Sequence, residues 1–211
     1  MEELKKYSKL HIYLTAYGPF AHFQTNPTQE LLETIIKNKN EYETNKTSID
    51  FNKVFEVTVD YVNKNFHIVE DEVNKNNINK DELHLIISYG QADIRNLITI
   101  ESQSENFIYD LIIKQKIDMN LNEKYIKSLV NVEKIVEIIN KDNIIQCEVS
   151  NDAGTYLCNY IYFKSIEFCK KNKDNVKSIF VHIPLFKNLN LEKNLLFFKE
   201  LIKAFEKLYL N

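Results

Sequence analysis

Apolar and polar residues fall in blocks along this chain, and the blocks predict an ordered series of elements. Residues 10–17 (LHIYLTAY) are almost wholly apolar and stop at Gly18 and Pro19, the pattern of a strand buried on both faces that runs into a loop. Asn26 and Pro27 then open a helix, because proline's fixed φ suits a first turn, and Leu31, Leu32, Ile35 and Ile36 follow at helical spacing. Residues 37–53 are rich in Asn, Lys, Glu and Thr and read as a surface loop, whereas 54–62 (VFEVTVDYV) alternate like a strand. A weaker helical stretch and a second polar segment near 74–81 precede 83–89 (LHLIISY), another buried strand, which ends at Gly90. A further apolar run over 97–100 is interrupted at Glu101. Residues 125–140 show a broad apolar face at helical period. Last come a strand over 144–149 (IIQCEV), a helix from about 153 to 171, a strand over 178–183 (SIFVHI) and a closing helix from about 191 to 210.

Buried apolar strands alternating with helices predict the α/β class: a three-layer sandwich with a mostly parallel twisted sheet flanked by helices on both faces. At 211 residues the chain suits a single domain over 1–211. In such sheets ligands lie outside the carboxyl ends of the strands. Chemistry is therefore expected at 17–26, 90–101, 151–158 and near His182.

Charge and composition narrow the function classes. Lysine is abundant but balanced by Asp and Glu to a net charge of −3, which gives no electrostatic case for nucleic acid. No run approaches the roughly 20 apolar residues of a membrane helix, so a cytoplasmic protein is expected, with no membrane partner. Three cysteines, without a CxxC or a histidine at zinc-ligand spacing, give no disulfide framework and no metal site. Arg95 is the only arginine in a chain rich in Asn, Lys and Ile, and stands out for that reason.

The loop SNDAG delivers Cys158 close to the start of a helix, in its second turn if the helix begins near 153. A helix N-terminus favours thiolate, the reactive form, yet free cysteine is also commonly a plain packing residue. His182 ends its strand on the face opposite Ile179, Val181 and Ile183. The strands before Cys158 and around His182 are consecutive in sequence and expected to be neighbours, so a thiol-imidazole pair is feasible. Glu101 lies at the same edge and could orient the imidazole, or simply be solvated. His11 and His84 fall inside strands and His67 in an irregular segment, while His22 in the first loop also faces the crevice.

These residues carry a family resemblance. Residues 150–160 (SNDAGTYLCNY) strongly resemble the active-site motif of type I pyroglutamyl peptidases, roughly S-N-x-A-G-x-Y-x-C-N-x, matching at Ser150, Asn151, Ala153, Gly154, Tyr156, Cys158 and Asn159. FVHIP is similar to the family's histidine strand, GQADIRNLITIE to G-Q-A-x-x-R-x-x-I-x-x-E, and LTAYGPFAHFQTNPT to its opening L-T-G-F-x-P-F-G-x-x-x-x-N-P-[ST]. The resemblance spans the chain almost end to end. It implies a cysteine peptidase that removes N-terminal pyroglutamate from peptides without metal or organic cofactor. In that reading Cys158 is the nucleophile, His182 the general base, Glu101 the group that orients it, and the Cys158 backbone N–H an oxyanion donor. It also implies a lactam pocket with aromatics matched by Tyr17 and Phe20 and polar residues matched by Gln91 and Asn26, and assembly as dimers or tetramers.

The chain departs from the family pattern at Ala16, Ala21 and His22, where glycines are usual, at Ser102, and near Leu111, where an arginine is usual. Fewer glycines stiffen the first loop, and the missing cation changes the acyl site. Two other readings therefore compete: a cysteine hydrolase of another N-terminal acyl group, and a binding protein that kept the fold. Intact Cys158, His182 and Glu101 argue against the second of these.

Overall fold

The computed structural model describes residues 5–20, 24–110, 113–172 and 174–211. Ala21, His22 and Leu111, singled out above, lie outside the described residues. The elements follow in the order β1 (Lys9–Tyr17), α1 (Pro27–Lys37), β2 (Thr47–Phe55), α2 (Val59–Asn65), α3 (His67–Asn76), β3 (Glu82–Gln91) and β4 (Ile98–Glu101). Four short strands come next, β5 (Gln103–Glu105), β6 (Phe107–Asp110), β7 (Ile113–Lys116) and β8 (Tyr125–Lys127). Then come α4 (Val132–Asn140), β9 (Cys147–Ser150), α5 (Leu157–Asn172), β10 (Val176–Ile183) and α6 (Leu191–Tyr209).

The central sheet has six strands in the order β2-β1-β3-β10-β4-β9. The first four are mutually parallel, β4 is antiparallel to β10, and β9 is parallel to β4. Each face carries its own core, as expected of a sheet covered by helices on both sides. One core gathers Leu31 and Ile35 of α1, Ile135 of α4 and Phe197, Phe198 and Phe205 of α6 against Ile179, Val181 and Ile183. The other gathers Val62, Val69 and Val73 of α2 and α3 and Ile161, Phe163 and Ile166 of α5 against Phe180. The α/β sandwich is the one that the alternation of blocks predicts, and β10 divides its side chains between the faces as its pattern requires.

Four local expectations are corrected. The polar stretch assigned to a loop contains β2, an edge strand paired only with β1 in the central sheet, and an edge strand tolerates polar residues such as Asp50, Asn52 and Lys53. The alternating stretch that follows breaks after Phe55, because the Thr58 hydroxyl caps α2 by accepting the Tyr61 N–H. The helix expected from 125 starts at Val132, since Asn131 caps it and Tyr125–Lys127 pairs with β5. The strands of Cys158 and His182 are not neighbours: β4 lies between β9 and β10.

Candidate active site

The ends of β1 and β3, His182 of β10, the start of α5 and the loops between them converge on one cavity of about 340 Å³, lined among others by Tyr17, Phe20, Asn26, Gln91, Cys158 and His182. These are six of the seven residues that the sequence singled out. The seventh, Glu101, is fully buried and joins the site through His182, whose Nδ1 lies 2.8 Å from Glu101 Oε1. His182 stands opposite Thr99 in the antiparallel β10–β4 ladder, and this register brings the carboxylate to the imidazole. Glu101 is fixed further by its backbone carbonyl, which accepts the Tyr162 hydroxyl at 2.6 Å.

The segment carrying Cys158 is held by its own turn chemistry. Ser150 Oγ accepts the Asp152 N–H at 3.1 Å, and Asp152 Oδ1 accepts the Gly154 N–H at 3.0 Å. Gly154 takes a φ of +82°, a conformation that favours glycine. The helix consequently begins at Leu157, later than expected, and Cys158 sits in its first turn. There its N–H precedes the first backbone bond into the helix, from Tyr160 N to Tyr156 O, and has no acceptor one turn earlier within it. Gly90 admits the sulfur: a β-carbon at this position would stand 3.0 Å from Cys158 Sγ and 2.7 Å from the Phe180 ring. Gly90 is also the residue of β3 that pairs with His182.

Protonation states follow from burial. Burial, with the Glu101 charge adding to it, pushes the Cys158 thiol up to about 12, overriding the helix terminus expected to favour thiolate. Burial likewise holds His182 below its ordinary value despite its carboxylate partner. For Glu101, burial opposes ionisation, but His182, Ser150 and Arg95 outweigh it and keep the carboxyl below the usual range. The resting pair is thus a neutral thiol and a neutral imidazole, with an ionised carboxylate behind it.

The cavity has an aromatic wall and one polar orphan. Tyr17 is 4% exposed and donates its hydroxyl to Leu157 O at 3.0 Å, tying the first loop to the start of α5. Both amide atoms of Gln91 are buried with no hydrogen-bond partner among the described residues, although Gln91 lines the cavity. Asn26 lines the cavity as the sequence implied, but its polar atoms are engaged within the protein: its Oδ1 accepts the Thr28 N–H and caps α1, and its Nδ2 donates to Gly18 O at 3.0 Å. Its polar atoms thus hold the loop together.

Three residues without an assigned role prove structural to this region. Asn159 bonds the Glu105 N–H and the carbonyls of Glu105 and Phe107, locking α5 to β5 and β6. Gly90 and Arg95 also lie at the site, and each carried a signal, as the end of a buried strand and as the lone arginine. The histidines inside strands belong elsewhere. His11 and His84 stack at 4.8 Å, and His11 lies near the start of β1, away from the cavity at its end.

A thiol, an imidazole and a buried carboxylate at the carboxyl edge of β1, β3 and β10 make an α/β scaffold equipped for acyl transfer to sulfur. Comparison with known proteins narrows that class. The family model described as pyroglutamyl peptidase matches residues 10–196. Pyrrolidone-carboxylate peptidase 1 of Caldanaerobacter subterraneus subsp. tengcongensis is 32% identical over 193 residues, 87% of each chain. The pyrrolidone-carboxylate peptidase of Oceanobacillus iheyensis is 31% identical, covering 92% of this chain and 95% of its own. The chain belongs to the pyroglutamyl peptidase family. Its fold is shared with the pyrrolidone carboxyl peptidase of Thermococcus litoralis, at a TM-score of 0.75 and 22% identity over 93% of this chain and 92% of that one. It is shared likewise with pyroglutamyl peptidase I of Bacillus amyloliquefaciens, at 0.74 and 20% over 93% and 94%.

Proposed function

We propose that this protein is a cysteine peptidase that removes pyroglutamate from the N-terminus of peptides, the whole chain acting as one catalytic domain. His182 Nε2 takes the thiol proton as Cys158 Sγ attacks the pyroglutamyl carbonyl. The proton then passes to the leaving amine as the C–N bond breaks, and water, activated by the same imidazole, releases pyroglutamate from the thioester. Glu101 keeps Nδ1 protonated so that Nε2 is the basic nitrogen, and the Cys158 N–H stabilises the oxyanion. Tyr17 and Phe20 cover the flat faces of the lactam, Gln91 meets its edge, and Asn26 bounds the cavity by holding the loop.

The observation that carries this reading is the orphaned Gln91 amide in the cavity that also holds Cys158 and His182. A buried carboxamide without partners costs free energy, and a lactam offers the complementary N–H and C=O that would satisfy it. Proline has the ring but not the carbonyl, so the same site disfavours it. Three free cysteines, and no described helix long and apolar enough to cross a membrane, are consistent with action in a reducing cytoplasm. The test is fluorophore release from a pyroglutamyl amide beside the prolyl and glutaminyl amides, by wild type and Cys158→Ala. Turnover of the pyroglutamyl amide alone, abolished by the substitution, is expected. A folded wild type that cleaves none of them overturns the reading.

A further inference from the structure

The guanidinium of Arg95 touches both halves of the site. Its Nη1 donates to Glu101 Oε1 at 2.6 Å and to the Thr99 hydroxyl, and its Nη2 donates to the Asp152 carbonyl at 2.6 Å. Glu101 Oε1 is the same oxygen that meets His182 Nδ1. Asp152 belongs to the turn that delivers Cys158, which leaves the sheet at Ser150, the ladder partner of Glu101, and Arg95 adds a side-chain tie from the carboxylate itself to the turn beyond that ladder. Arg95 itself lines the cavity, with 21% of its side chain exposed.

We propose that Arg95 is a positioning residue for the reaction, stapling the Glu101–His182 pair to the loop that carries Cys158 while taking a share of the carboxylate that orients the base. The inference rests on the peptidase reading above. Two physical consequences follow from the shared oxygen and the bridged loop. First, a carboxylate already paired with a guanidinium supports a second proton on His182 less strongly than one that serves the imidazole alone, so the base stays neutral and able to accept the thiol proton. The Arg95 charge acts in the same direction on the other partner, favouring the Cys158 thiolate. Second, the Asp152 carbonyl fixes the turn whose end sets both Sγ and the Cys158 N–H. Misplacement of reacting groups by about 1 Å costs on the order of 100-fold in rate. A lysine could supply the charge but not the rigid fork that reaches two acceptors at once.

The test uses the full chain with Arg95→Met and Arg95→Lys. Steady-state kinetics on the pyroglutamyl amide across pH are combined with iodoacetamide alkylation in the absence of substrate. Alkylation reports on Cys158, because Cys147 and Cys169 are 2% and 0% exposed. Arg95→Met is expected to lower kcat about 100-fold and change KM less than about threefold. It should move the acid limb of kcat/KM up by about one pH unit and slow alkylation about tenfold at fixed pH. Arg95→Lys should restore the acid limb and not kcat. A wild-type acid limb in Arg95→Met, or a loss confined to KM, overturns the inference, because a merely structural role leaves the titration of His182 where it was. Should Arg95→Met fail to fold, Arg95→Lys decides: a lowered kcat with the wild-type limb supports the staple, and wild-type kcat overturns it. A wild type inert on the pyroglutamyl amide whose alkylation still depends on Arg95 removes the peptidase reading and leaves the staple. An active wild type insensitive to Arg95 removes the staple alone.

Discussion

Gly90 and Cys158 are in contact across the top of the sheet: the position a β-carbon of Gly90 would take lies 3.0 Å from the Cys158 sulfur. The same position is 2.7 and 2.8 Å from two ring carbons of Phe180, which is fully buried and cannot swing aside. Gly90→Ala should therefore cost about 1–3 kcal/mol through overpacking. Whichever neighbour yields, the thiol moves relative to His182, so kcat should fall on the order of 10- to 100-fold. Thermal melts and steady-state kinetics check the two effects separately, and full activity would mean that the sulfur need not occupy this position.

The buried ion pair behind the imidazole sets the pH dependence. Burial depresses the pKa of His182, so the neutral base persists below its ordinary value and is lost only as pH falls through the depressed one. The acid limb of kcat/KM should accordingly lie below about pH 6.5, while the thiol, raised to about 12, supplies no limb near neutrality. Glu101→Gln should lower kcat on the order of 100- to 10,000-fold, because the imidazole loses the partner that fixes its tautomer. A loss under tenfold would show that His182 is oriented without the carboxylate.

Gln91 should divide substrates more than it affects the chemistry. Gln91→Leu removes the orphaned amide and should raise KM for the pyroglutamyl amide by about 10- to 100-fold. The substituted cavity keeps its aromatic wall, so discrimination against the prolyl amide should shrink. Unchanged selectivity would remove Gln91 from lactam recognition.

Away from the cavity, His11 is bracketed by Asp50 at 2.5 Å and Glu82 at 3.0 Å. Burial opposes its charge, but the two carboxylates outweigh burial and raise its pKa. A raised folded pKa means that this stabilisation is complete below the unfolded value near 6.5 and fades as pH rises through the folded one. His11→Gln should then cost about 1–3 kcal/mol near pH 6 and progressively less at alkaline pH, read from melts across pH. A deficit that is constant with pH would mean that packing, not charge, is what His11 contributes. His84, stacked on it and lowered to about 4, stays neutral and works the opposite way, losing stability as pH falls from 6.5.

Sequence blocks carried the architecture where both faces of a strand are buried, as in β1, β3 and β10, because such strands read as continuous apolar runs. They failed where the environment is one-sided or the stop signal is a single side chain: β2 at the open edge, Thr58 capping α2 and Asn131 capping α4. The site residues were legible through their motifs, and six of them do line one cavity. What the motifs could not reveal is how those residues reach one another. The antiparallel insertion of β4 between β9 and β10 is a pairing fact, and so is the oxygen that Arg95 and His182 share. Burial also works against the thiolate that a helix terminus favours, since a helix terminus is visible in a sequence and desolvation is not.

The position of β10 bears on when the enzyme can first act. It is the last strand in the chain yet lies in the middle of the sheet, with β2-β1-β3 on one side and β4-β9 on the other. Until it is in place, the cavity-lining residues Tyr17 and Gln91 sit on one slab and Glu101 and the Cys158 loop on another, with no ladder between them. The strand that joins the slabs also brings His182. In the proposed mechanism, Cys158 therefore has no imidazole to take its proton before β10 closes the sheet, and competence to cut peptides arrives with that closure.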